Sequence, residues 1–450
     1  MKKQLLILTC ISVLFGCAKE NIPENDQEVL PVQTKSRYLT LDSIQQLAAE
    51  LPGQFGDDGA TTRSGYTKSV VDLFPLSDMF PSAATKSGTN GADAEVTKNI
   101  YVVNYADNEG FAILAADTLM ETILAYSDQG NITDTMDNPG VRTFMEMIPA
   151  YAASQLSHDP GEDSMSMEDR YPAQSLLHLR YEYSQVGPFV PVRWSQYEPF
   201  NEGINWPAHL KCSNTNSGQP VAGCVAIAML HIMAANSYPT AFQVSNGWYT
   251  CYWDKWRGFK TGSYFPEESY DRRAIAALVR EIGVAVDMDF GCTRSSTVTK
   301  KAEQAFRTRF NYATDGIYSF NADRVKSDLY NKRAVYVGGY ATDNWIGYSH
   351  GHDWVIDGYK DVYRVWGVYN NTYDENYNLI RQEQVGERKE QETRWLHCNF
   401  GWGGDGNGYY YIGVFNTEFP VELDPGCSKP SEYYYCRFKL EIIKNIRPNI

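Results

Sequence analysis

The 450-residue chain contains no CxxC pair although it has 9 cysteines, so the ligand spacing of a zinc framework is missing. It has no apolar run of the roughly 20 residues needed to cross a bilayer, and the best candidate, Leu5–Phe15, is too short. It lacks an excess of positive charge. Its 40 Lys and Arg face 55 Asp and Glu, a formal net charge of −15, which argues against a nucleic-acid partner needing a basic face. No internal repeat is present, which argues against a solenoid or propeller. Charged residues reach only 21% against 43% hydrophobic, so wholesale disorder is not expected. Histidine is scarce, at 7, which makes the search for a catalytic base short. What is abundant is tyrosine, with 32 residues, a composition suited to strand-rich structure and ring-lined surfaces.

Lys2 and Lys3 precede the apolar Leu5–Phe15, which ends in Leu14-Phe15-Gly16-Cys17. This resembles the bacterial lipoprotein cleavage box. The resemblance implies export, lipidation at Cys17, and a membrane-anchored precursor at the cell envelope or surface, whose mature domain is secreted if the anchor is cut away. Residues 1–17 are read as the signal segment and the polar 18–36, with Pro23 and Pro31, as a tether. Past Cys10 and Cys17 stand Cys212, Cys224, Cys251, Cys292, Cys398, Cys427 and Cys436; their pairing is not legible.

Ile44, Leu47, Ala48 and Leu51 predict a helix, with Asp42 or Ser43 as cap. Residues 53–95, rich in Gly, Ser, Thr and Asp, read as loop or connection. Ile100–Tyr105 and Phe111–Ala116 flank a glycine-containing loop and predict a hairpin, followed by a strand at Ile123–Tyr126 and a helix at Val141–Leu156. Asp159–Ser164 is a linker signal. Beyond residue 180 helices come first, with apolar faces at Ile275/Leu278/Val279/Ile282, Val298/Ala302/Ala305/Phe306 and Ala322–Tyr330. Strands follow at Val335–Val337, Trp354–Ile356, Trp395–Phe400, Tyr409–Val414 and Tyr434–Ile442. This order predicts an α+β fold of two packed lobes. Residues 366–393, ending in the charged run Glu387–Glu392, read as a solvated loop or hairpin.

The stretch Gly218–Met233 organises the chain. After Cys224 come Val225, Ala226, Ile227, Ala228, Met229 and Leu230, which leave almost no polar face and predict a fully buried helix. Cys224 then sits at a helix N-terminus, whose partial positive charge favours a thiolate. A nucleophilic cysteine needs a base and a group to orient that base. His231 lies seven residues along the helix, about 10 Å away, and reads as packing. His158 and His178 fall at the linker and His209 in a polar loop, which leaves His350, His352 and His397. His352 begins a strand, and alternation puts His352, Trp354 and Ile356 on one face. Asn399 can accept from one imidazole nitrogen, and His397, on the same strand face, reads as packing. A metal hydrolase on His350, His352 and Asp353 lacks a second ligand cluster, and neither metal nor cofactor is expected.

Gln219, Ala222-Gly223-Cys224-Val225-Ala226, Gly351-His352 with Val355-Ile356-Asp357-Gly358, and Asn399-Phe400-Gly401-Trp402-Gly403-Gly404 together resemble the streptopain family of secreted cysteine peptidases. Trp194–Asn201 and Gly283–Asp289 extend the resemblance over most of residues 185–420, and Tyr101–Gly130 resembles the family's inhibitory propeptide. The resemblance implies a papain-like two-lobed peptidase at 176–450 and a propeptide at 37–175. It also implies a nucleophile at Cys224, a base at His352, an oxyanion donor at Gln196, an orienting Asn399 and a covering Trp402. Partners are then protein or peptide substrates and the chain's own propeptide. Phe400 stands where the family commonly has Trp, and 366–393 looks like an insertion able to rim the cleft. The alternative is a lipid-anchored binding protein of this fold without catalysis.

Overall fold

The computed structural model describes residues 37–450 except 56–66, 80–89, 134–137, 157–172, 260–264, 267–268, 342–350 and 417–437. The expected signal segment with Cys10 and Cys17, the expected tether and linker (18–36 and Asp159–Ser164), His158, His350, Cys427, Cys436 and residues 434–437 lie outside the described residues. Residues Arg37–Ile450 form one compact unit.

Ile44, Ala48, Leu51 and Phe55 recur at helical spacing, and α1 (Leu41–Phe55) buries all four. β1 (Val70–Pro75) and α2 (Asn90–Thr97) follow. Both begin within 53–95, which composition marks as loop. β1 is a strand because it pairs with β2 (Ile100–Tyr105), a tertiary contact that a polar neighbourhood hides. β2, β3 (Phe111–Ala115) and β4 (Ile123–Ser127) form the expected antiparallel meander, and α3 (Pro139–Leu156) packs beneath it. β5 (Gln174–Val186), unanticipated, pairs along β11 (Gly351–Tyr373).

The helical layer holds α4 (Cys224–Asn236), the β6 (Ala241–Val244)–β7 (Gly247–Thr250) hairpin, α5 (Trp253–Arg257), α6 (Tyr270–Ala285) and α7 (Thr299–Thr308). Next come β8 (Tyr312–Ala313), β9 (Gly316–Ser319) and α8 (Ala322–Tyr330). Ile275, Leu278, Val279 and Ile282 are buried as their spacing predicts, as are Ala302, Ala305 and Phe306 of α7, while Val298 caps that helix from outside at 49% exposure. The strands that follow are β10 (Val335–Ala341), β11, β12 (Leu379–Asn399), β13 (Gly408–Tyr411) and β14 (Phe438–Lys444). One sheet runs β1-β2-β3-β4-β13-β12-β11-β10-β14-β9, antiparallel throughout, with β5 added to β11. The α+β expectation holds. The join between β4 and β13, Ser127 opposite Gly408, makes the N-terminal meander a direct extension of the C-terminal sheet.

Side-chain alternation on β10 and β11 divides the interior. Tyr336 and Val355 belong to the core that encloses α4, α6 and α7, whereas Val335, Val337, Trp354 and Ile356 belong to the core against α3 and β2–β4. Residues 366–393 form a hairpin that prolongs β11 and β12. Its ion pairs Arg180–Glu387 and Lys389–Glu182 to β5 lie in solvent.

Candidate active site

Cys224 opens α4, and every residue from Val225 to Ala234 behind it is buried, as the all-apolar run predicts. The chain enters through Gly223 at φ 90°, where a Cβ would come within 2.9 Å of Met288 Cε, so glycine is required. The preceding loop is tied on both sides. Ala222 N–H donates to Gln196 O at 2.9 Å, Val221 N–H to Gly291 O at 3.2 Å, and Ser295 Oγ to Val221 O at 2.6 Å. A disulfide joins Cys212 to Cys292 across the same two loops, with Cα atoms 5.3 Å apart. Cys224, partly exposed, is a free thiol, as are the buried Cys251 and Cys398.

The sulfur donates to Asp353 Oδ2 at 3.7 Å. The close protein surroundings, and then the Asp353 carboxylate, push the thiol well above its ordinary range; the N–H groups of Asp353 and Val225 pull it down and are outweighed. A thiolate favoured by the helix N-terminus is therefore not what this arrangement holds. Asp353 Oδ1 accepts from Tyr336 Oη at 2.8 Å. Burial raises the Asp353 carboxyl to about 7, against the pull of Tyr336, Cys224 and Thr299.

His352 faces the other way. Its ring lies parallel to Trp354 at 6.2 Å and near Phe400 and Trp402, each at 6.3 Å. Nε2 lies 2.9 Å from Phe400 O; a carbonyl only accepts, so this nitrogen carries the proton. Burial lowers the imidazole to about 4, with the Phe400 carbonyl opposing. The alternation that groups His352 with Trp354 is as expected, and it puts His352 and Asp353 on opposite faces of β11. The structure thus brings Asp353, and not His352, to Cys224.

Gln196 is buried beside the loop that leads into Cys224, held there through its own carbonyl. Asn399 is not bonded to His352: Nδ2 donates to Val192 O at 2.9 Å and Oδ1 accepts from Gly401 N–H at 3.2 Å, so its side chain fixes backbone. Trp402 does lie edge-on to His352, in a loop turned by Gly401 at φ 72° and Gly403 at φ 73°. His231 packs near Trp194 with neither ring nitrogen partnered among the described residues, and burial lowers it to about 3. His397 does more than pack: Nδ1 lies 2.6 Å from the fully buried Asp357 Oδ1, and Asp357 Oδ2 accepts from Val190 N–H at 2.8 Å.

Sequence reasoning missed Asp353, although the phase that places His352 also places its neighbour. It also missed the side chains that seat the N-terminal unit on the Trp402 loop. Arg193 Nη1 donates to Gln129 Oε1 at 2.9 Å, Gln129 Nε2 to Asp405 Oδ1 at 3.2 Å, and Asn138 Nδ2 to Asp405 O at 2.6 Å. Gly140 lies against Phe400 so closely that a Cβ would meet ring Cδ1 at 2.1 Å. Phe55 of α1 packs edge-on to Trp395 at 5.2 Å, and Lys360 Nζ stands 4.7 Å from the Phe55 ring centre.

Residues 194–410 match the Peptidase C10 family, and residues 67–151 match the Spi protease inhibitor family. The chain is 24% identical over 395 residues to the thiol protease/hemagglutinin PrtT of Porphyromonas gingivalis, a match covering 80% of this chain and 39% of PrtT. It is 23% identical over 375 residues to streptopain of Streptococcus pyogenes, covering 74% of this chain and 82% of streptopain. Among solved structures, a prointerpain A fragment from Prevotella intermedia is similar at 19% identity and a TM-score of 0.48, covering 84% of this chain and 98% of that one. The chain is thus a streptopain-like, papain-like cysteine peptidase whose residues 194–410 match the Peptidase C10 family, with a Spi-type inhibitory propeptide ahead of them.

Proposed function

We propose that this is an exported proenzyme whose mature domain cleaves peptide bonds within proteins, with Cys224 as nucleophile and His352 as base. The observation that carries it is the setting of Cys224: a sulfur at the start of a fully buried helix, in a loop bonded to Gln196 and stapled by a disulfide. Attack on a carbonyl places negative charge on oxygen. The Cys224 N–H and the Gln196 carboxamide are the two donors for it, and losing one such donor costs about 10²–10³ in rate. In the active arrangement His352 takes the thiol proton and delivers it to the leaving amine, and water then releases the acyl-enzyme. Asn399 orients the ring and Trp402 shields that contact from water.

The described arrangement is latent in this reading. His352 lies in an aromatic site completed from the propeptide side by Gly140 against Phe400, while Cys224 is bonded to Asp353. A one-residue change of phase at Gly351–Asp353 carries the imidazole to the sulfur's face. Removal of the chain up to about residue 175 takes away the contacts that favour the present phase. Lipidation at Cys17 anchors the precursor, and cleavage frees the mature domain. A Cys17→Ser chain is then no longer membrane-associated; unchanged association would count against the anchor.

The test is the mature domain on a casein substrate. Cys224→Ala loses activity by about 10⁴-fold or more. Equal turnover in wild type and Cys224→Ala would end the assignment.

A further inference from the structure

Consecutive side chains of a strand point to opposite faces, so the sulfur of Cys224 meets either residue 352 or residue 353 from β11, never both. We propose that Asp353 is a positioning residue that occupies the nucleophile: its carboxyl keeps Cys224 protonated and competes with His352 for the same sulfur. The proposal rests on the reading of Cys224 and His352 given above.

The carboxyl is seated from several elements. Cys224 reaches it from α4, Tyr336 Oη from β10 at 2.8 Å and Thr299 from the start of α7, while Glu441 of β14 is the neighbouring like charge. Tyr336 is itself fully buried, and Asp353 is 4% exposed, so the acid has a fixed address and is not a swinging surface group. A carboxylate in contact with a thiol disfavours the thiolate by like-charge repulsion, whereas an imidazole in that place accepts the proton. The two partners therefore act in opposite senses on one atom. Being adjacent in sequence, they exchange in a single movement: the slip that delivers His352 also withdraws the acid. The chain thereby couples assembly of the catalytic pair to release of the group that silences it.

The experiment uses the full, uncut chain carrying His352→Ala, which cannot process itself, with and without Asp353→Asn. Alkylation of Cys224 by iodoacetamide is followed at the residue level by mass spectrometry from about pH 5 to about pH 10. Asp353→Asn keeps the shape and a hydrogen-bonding group but removes the charge. It is expected to speed alkylation roughly tenfold at a fixed pH between about 8 and 10, where the Asp353 carboxyl is ionised, equivalent to a midpoint about one pH unit lower. Asp353→Ala serves as the second variant and moves the midpoint the same way; circular dichroism and the intact Cys212–Cys292 bond report the fold of each. Profiles that coincide with the parent, or that move upward, overturn the proposal. The readout involves no turnover. A shifted profile together with full caseinolysis by Cys224→Ala would sink the peptidase reading alone, and an unshifted profile with a dead Cys224→Ala would sink this proposal alone.

Discussion

The two faces of β11 are packed by different partners. Behind Asp353 and Val355 lies a core whose members all fall between Val190 and Ile446, beyond the inhibitor match at 67–151. Behind Trp354 and Ile356 lies a core that combines peptidase residues with Ile100, Val102, Val141, Phe144 and Met147 of the propeptide. The half of the site that carries the sulfur is therefore self-sufficient, and the half that holds the imidazole is on loan. In the proposed reading latency is a matter of which core a strand residue joins: the propeptide shares the core behind Trp354 and Ile356 and adds no member to the core around the Cys224 helix, while α1 covers Trp395 and Tyr409 farther along the sheet.

That asymmetry can be broken first at Phe144, which is fully buried and meets Tyr410 at 4.8 Å and Phe415 at 5.2 Å. Phe144→Ala is expected to destabilise the shared core by about 3–5 kcal/mol. In urea, a Cys224→Ala chain with this change loses its propeptide-side structure early while the helical lobe unfolds at the parent's midpoint; one common transition shifting as a whole would contradict the two-core picture.

Acid sharpens the comparison next. The imidazole of His352 is lowered from 6.5 to about 4 by burial, so the folded latent chain binds fewer protons there than the unfolded chain. The stability it contributes is full above about pH 6.5 and is lost as pH falls through about 4, an effect on the order of 3 kcal/mol. Asp353 acts oppositely: its carboxyl is raised to about 7, so its contribution is present in acid and lost as pH rises through that value. Comparing the pH dependence of the urea midpoint in the parent and in His352→Gln isolates the imidazole. A parent no more acid-sensitive than the variant would remove His352 from the aromatic site.

A smaller effect is expected at Gly140, whose added Cβ must displace the Phe400 ring. Gly140→Ala is expected to cost about 1–3 kcal/mol through overpacking. The consequence is weaker inhibition when the isolated propeptide is added to the mature enzyme, read as a higher inhibition constant. An unchanged constant would mean the ring shifts freely.

Much of this was legible in the chain. The helix after Cys224 is apolar on all sides, and only one environment suits such a helix. The alternation through His352, Trp354 and Ile356 fixed which residues share a face. What local pattern does not contain is phase between distant segments: whether residue 352 or 353 turns toward α4 depends on pairings such as Gly339↔His352 and Gly338↔Asp353, and one residue of slip reverses the answer. β1 and β5 were missed for a related reason. QSLLHLRYEYSQV becomes a strand by lying along β11 nearly two hundred residues away, with Gln174 opposite Asn370 and Val186 opposite Tyr359. Asn399 shows the limit of motif transfer, since its amide ends in this arrangement are spent on Val192 and Gly401.

The bridge between Cys212 and Cys292 has a consequence for where the molecule becomes dangerous. It clamps the two loops that lead to Cys224, and such bonds persist in oxidising compartments while the cytosol keeps thiols reduced. Completion of the Cys224 side of the site is thus tied to an oxidising compartment, a safeguard of place that adds to the safeguard of sequence supplied by the propeptide.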